Sequence, residues 1–192
     1  MLENMVHENG IIPTKKLFQE KYKEYLEKIG KPIVVDVKPL EGCEHLNCFN
    51  NVANIVNKQG GEMIFGHICW VSEKEDYFHF EPHCIYKSPT GEIFDPTPQE
   101  DLEEQLLFLV DETIKVWDKK KPCSIYVPIR DNQLVNEFCF HANEYHKYLK
   151  QVAIHQESDN TFIWENDKKH LKMITNFVIA FGKYCGIDFI KG

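Results

Sequence analysis

The sequence has no long run of positive charge, no stretch of about eighteen apolar residues, and no basic start leading into an apolar core. Each absence narrows the function. With 22 Lys and Arg against 30 Asp and Glu, the net charge is −8. The best basic run, Lys119-Lys120-Lys121, reads as a solvated turn. No nucleic-acid partner is expected, and the same acidity argues against anionic membranes. No segment approaches the length of a membrane span, and MLENMVHENGIIP lacks the features of a signal peptide. Internal repeats and low-complexity tracts are missing too. The seven cysteines, Cys43, Cys48, Cys69, Cys84, Cys123, Cys139 and Cys185, are odd in number and scattered. That is unlike a secreted disulfide scaffold. Free thiols in a reducing cytoplasm are the expectation, with export of an effector or toxin by an unconventional route as the alternative.

What is present is an ordinary globular composition: 192 residues, 43% hydrophobic and 27% charged. One domain over 1–192 is expected, with a core at 32–98 and a helical part at 99–192. Thr14 to Ile29 reads as an amphipathic helix ended by Gly30, and Pro32 to Val37 as a short strand. From Cys48 the pattern turns helical, with Phe49, Val52, Ile55 and Val56 on one face and Gly60-Gly61 closing the segment. Glu62 to Val71, Tyr77 to Tyr86 and Glu92 to Asp95 read as three strands of a meander. Pro82 marks an edge or a bulge, because it has no N–H to give. Further on, Glu100 to Val110 reads as a helix. Ile114 to Trp117 and Ser124 to Ile129 read as strands, and Asn132 to Val152 and His170 to Cys185 as helices, with Asn166 to His170 an exposed loop.

Three residues on these elements suggest a chemistry. Cys48 falls at a helix start, where unpaired N–H groups and the positive end of the dipole favour a thiolate. His83 lies on a following strand and Asp95 at the end of the next. Antiparallel neighbours bring side chains to about 5 Å, which suits an imidazole–carboxylate bond. A thiol nucleophile, a base and an orienting acceptor are the parts of acyl-transfer catalysis. The Cys48 N–H, Asn47, His45 and Asn51 are candidate oxyanion donors, and Trp70 and Tyr86 are candidate pocket-lining aromatics. Each residue also has a plainer role: Cys48 as a small core residue, His83 as a half-buried histidine, and Asp95 before Pro96 as a turn former.

Zinc is the rival. Cys43, His45 and Cys48 read C-x-H-x-x-C, and His67, Cys69, His83 and Cys84 add soft ligands. The two-plus-two spacing of a zinc knuckle is absent, however, and His83 and Cys84 point to opposite strand faces. A non-catalytic binding protein, with or without such a zinc, is therefore the second reading. A phage or effector inhibitor that binds through its C-terminal helices is the third.

The strings C-F-N-N-V from Cys48, G-G-E from Gly60, E-P-H-C-I-Y from Glu81 and G-E-I-F-D-P-T-P from Gly91 resemble a group of small uncharacterised bacterial and phage proteins. Their pattern runs C-x-x-N-V, G-G-x-x-x-x-G-W, E-x-H-x-V-W, G-x-x-x-D-x-T-P. This chain departs from it in carrying His67 where that group tends to carry Trp. The order Cys, His, Asp is similar to papain-like and transglutaminase-like thiol enzymes, including the NlpC/P60 amidases, although no glutamine shortly precedes Cys48. The resemblance implies Cys48 as nucleophile, His83 as base and Asp95 as orienter. Separately, no cofactor and no catalytic metal are expected.

The expected fold is α+β: a small antiparallel sheet on the Cys48 helix, a papain-like core and extra C-terminal helices. The expected function is a thiol hydrolase or acyl transferase acting on a peptide, protein or small amide or ester.

Overall fold

The computed structural model describes residues 11–12, 20–72, 74, 76–99, 104–113, 123–159 and 167–186. The expected strand at Ile114 to Trp117, the lysine turn and the first part of the Thr14 helix lie outside these residues. The chain is α+β. Its elements are β1 (Ile11–Ile12), α1 (Glu20–Glu27), β2 (Lys31–Val37), α2 (Cys48–Gln59), β3 (Glu62–Ser72), β4 (Tyr77–Lys87), β5 (Ile93–Asp95), β6 (Gln105–Val110), β7 (Ile125–Pro128), α3 (Gln133–Asp159) and α4 (Asp167–Cys185). Among the described residues no helix is long and apolar enough to cross a membrane.

The described residues of Met1–Glu73 and Phe80–Val116 form one compact unit, and those of Lys74–His79 and Trp117–Gly192 a second. In the first, the sheet is larger than the expected meander and is not purely antiparallel. β3 pairs with β6, β6 with β2, β2 with β5 and β5 with β4, while β4 also pairs with β3. The pairings return to their starting strand, so five strands close into a barrel, which removes exposed edges. β2 runs antiparallel to β6 but parallel to β5, with Asp36 opposite Phe94 and Val37 opposite Asp95.

Alternation along the strands splits the apolar residues into two groups. Val35, Ile68, Trp70, Ile85, Leu106 and Phe108 come from four strands of the ring and form one buried cluster. Cys84, Tyr86 and Phe94 project the other way and meet Cys48, Val52 and Ile55 of α2. Val52 is fully buried, and such a side chain contributes about 1.5–3 kcal/mol by leaving water.

Two glycines of the G-G-x-x-x-x-G string are fixed by close approach. A Cβ on Gly66 would lie 2.0 Å from the Leu109 carbonyl oxygen, against the ring of Phe108. Gly61 has φ +98°, and a Cβ there would meet the Lys87 carbonyl at 2.4 Å. Pro82 lies inside β4, away from Tyr86 and Lys87, the two residues that pair with β5.

The expected helix over Glu100 to Val110 is corrected: residues 105–110 are β6. Leu106, Leu107, Phe108 and Leu109 are all buried, since both faces of this strand are covered. Such a strand reads as a continuous apolar run, and its period is hidden. The expected loop at 166–170 is likewise helical from Asp167.

In the second unit, Tyr77, Tyr126, Val135, Phe138, Cys139, Ala142 and Phe177 form the core. Asn143 of α3 clamps Tyr126, donating to its carbonyl and accepting from its N–H, each at 2.8 Å. His79 stacks on one side of Tyr126 at 4.5 Å, and His146 contacts the same ring at 5.6 Å.

Candidate active site

All the candidate residues lie in the first unit. Cys48 is the first residue of α2, following Asn47 at the cap position. Asn47 makes no side-chain cap bond; its amide is engaged with Glu44 and Asn50 instead. The first N–H groups of the helix, that of Cys48 among them, have no partner within the helix. Just upstream, Leu46 adopts φ +60° and is 68% exposed. A left-handed leucine is a strained choice for a residue with a Cβ.

Cys48, His83 and Asp95 come together. His83 is buried on β4, and its Nε2 donates to Asp95 Oδ2 at 2.8 Å. Cys48 lies near enough to raise the basicity of the same ring. The ring rests edge-on to Phe108, 6.5 Å between centroids. Burial alone would lower the basicity of His83, but the charges of Cys48 and Asp95 and their hydrogen bonds outweigh it. The imidazole is pushed up to about 10 and holds its proton at neutral pH. Its thiol neighbours behave differently. Burial drives the Cys84 thiol far up, and the charges of Cys48 and Asp95 add to this. Burial raises Cys43 as well.

Asp95 is 0% exposed, so its oxygens need internal donors. Oδ1 accepts from the Thr97 backbone N–H at 2.9 Å, and Oδ2 accepts from Gln99 Nε2 at 2.9 Å in addition to His83. Thr97 and Gln99 escaped the reading of the sequence. The available clue was the spacing D-P-T-P-Q, in which an Asp followed two residues later by an N–H donor forms an Asx turn.

Asn51, expected near the oxyanion, uses its amide within the chain. Oδ1 accepts from Glu44 N–H at 3.1 Å, while Nδ2 donates to Glu44 O at 2.7 Å and to Thr97 Oγ1 at 3.1 Å. It fastens the loop before Cys48 and the turn after Asp95 to the first turn of α2. Asn47 remains at the helix start beside Cys48. Trp70 is buried in the same cluster as Phe108, and its Nε1–H donates to Glu81 at 2.8 Å. Tyr86 is buried under α2, its hydroxyl donating to Gly60 O at 2.8 Å.

His45 lies exposed in the loop before α2. Among the described residues, no three His, Cys, Asp or Glu side chains are grouped so as to hold a metal ion, and the Cys43, His45, Cys48 string forms no such group. In comparisons with known proteins, no family model, no curated protein and no solved structure matches the chain.

Proposed function

We propose that the protein is a thiol-dependent hydrolase or acyl transferase acting on an amide or ester, with a papain-like arrangement of helix and barrel. One observation carries this reading: a buried imidazole bonded to a buried carboxylate, with the thiol of a helix-start cysteine near enough to act on the same ring. Cys48 attacks the carbonyl carbon, a C–S bond forms, and the carbonyl π electrons move to oxygen. The Cys48 N–H is the nearby donor for that oxyanion. As the tetrahedral species collapses, His83 gives its proton to the departing amine or alcohol. Water, or an acceptor amine, then attacks the thioester while His83 takes its proton, and Cys48 is released. Asp95 holds the ring in register and stabilises its charge.

The test is turnover of a library of peptide amides and esters by the wild type, Cys48→Ala and His83→Ala, with circular dichroism to confirm folding. The expected result is loss of at least about a thousandfold in both variants. Retained turnover in folded Cys48→Ala would overturn the reading.

A further inference from the structure

The run Asp95-Pro96-Thr97-Pro98-Gln99 bends back on its own first residue. Gln99 Nε2 donates to Asp95 Oδ2 at 2.9 Å and to the Thr97 carbonyl at 3.3 Å. Asp95 Oδ2 is the same oxygen that receives His83 Nε2. Thr97 N–H takes the other oxygen. Pro96 and Pro98 fix φ on either side of Thr97, so less freedom is lost in ordering the run.

We propose that Gln99 is a positioning residue that holds the Asp95 carboxylate aimed at His83, so that the imidazole keeps its orientation beside Cys48. This rests on the thiol-enzyme reading. A buried carboxylate is expensive to keep charged, and each N–H donor to it favours the charged form. With Gln99 in place, Oδ2 has two donors and Oδ1 one, which sets the carboxylate plane. Without it, Oδ2 keeps only His83, and the carboxyl draws the shared proton toward itself. The imidazole is then held less firmly beside Cys48. The other titratable groups that act on Asp95 are Cys43 on the loop before α2 and Cys84 on β4. Burial raises both thiols, so neither supplies charge at neutral pH.

The experiment measures the rate of Cys48 alkylation by iodoacetamide against pH, using peptide mass spectrometry on the full chain. Wild type is compared with Gln99→Met, Gln99→Glu and His83→Ala. Met keeps the volume and removes the donor; Glu keeps the shape and adds a like charge. Both are made so that one folded variant suffices. The expected result is a fall of about tenfold at pH 7 in Gln99→Met, the size of one hydrogen bond to a charged group. The whole profile should move to higher pH, further in Gln99→Glu. Wild-type profiles in a folded Gln99 variant, with His83→Ala still slowed, would overturn the role of Gln99 alone. A wild-type profile in His83→Ala would overturn the thiol-enzyme reading itself.

Discussion

Asn51 Nδ2 donates to Thr97 Oγ1 at 3.1 Å across a sequence separation of 46 residues. This bond joins the first turn of the Cys48 helix to the turn that carries Asp95, and the same amide holds both backbone groups of Glu44. Asn51→Ala would strand a buried hydroxyl and leave the Glu44 groups seeking other partners. The expected loss of stability is about 2–4 kcal/mol, read from urea denaturation at pH 7. A loss under about 0.5 kcal/mol, the size of an ordinary surface substitution, would show that the joint carries no weight.

The seven cysteines should divide sharply toward alkylating reagents. Burial raises Cys43, Cys69, Cys84 and Cys185, and pushes Cys139 up to about 12. Cys48, by contrast, is the first residue of α2, where the helix N–H groups lack partners, and it neighbours His83. In brief labelling at pH 6 to 7, Cys48 is expected to outpace each of those five at least tenfold. Faster labelling of Cys139 or Cys69 than of Cys48 would contradict the site's electrostatics.

Alkaline pH should unsettle the fold through His83. Its folded value of about 10 lies above the ordinary 6.5, so the folded state binds the proton more tightly than the unfolded chain. That contribution is complete below pH 6.5, declines as pH rises from there, and is gone above about 10. Urea midpoints between pH 7 and 10.5 should fall less steeply in His83→Gln than in the wild type. Equal slopes would mean that His83 is not protonated in the folded protein.

On the acid side, His146 should act in the opposite sense. Burial lowers it to about 4 from 6.5, so below pH 6.5 the unfolded chain takes up a proton that the folded state resists. Stability contributed by the neutral ring is present above 6.5 and is lost as pH falls toward 4. His146→Phe keeps an aromatic ring beside Tyr126 and removes the titration. Its midpoint should be flatter between pH 6.5 and 4; an unchanged acid slope would count against a buried neutral His146.

Much of the site could be read from the sequence, because its elements follow local rules. The apolar spacing of Val52, Ile55 and Val56 and the closing Gly60 defined α2. The meander of Glu62 to Val71, Tyr77 to Tyr86 and Glu92 to Asp95 placed His83 and Asp95 on adjoining strands. The barrel could not be read this way. It depends on β6, whose run Leu106 to Leu109 is apolar on both faces, and on the parallel pairing of β2 with β5, which joins distant segments. Gln99 and Thr97 were missed for another reason: their contacts come from a loop folding back on Asp95, and no periodicity marks that.

The path of the chain bears on heredity and on engineering. It leaves the first unit at Glu73, gives Lys74–His79 to the second, returns at Phe80 and departs again after Val116. Neither unit is a continuous stretch of coding sequence. A truncation after residue 116 would retain Tyr77 while deleting Tyr126, Phe138 and Tyr184, the rings that surround it. A buried tyrosine would become a bare one. Recombination that exchanged the C-terminal helices wholesale would do the same unless the newcomer supplied a matching aromatic nest. The helices of α3 and α4 and the short segment before Phe80 must therefore be inherited, swapped or redesigned together.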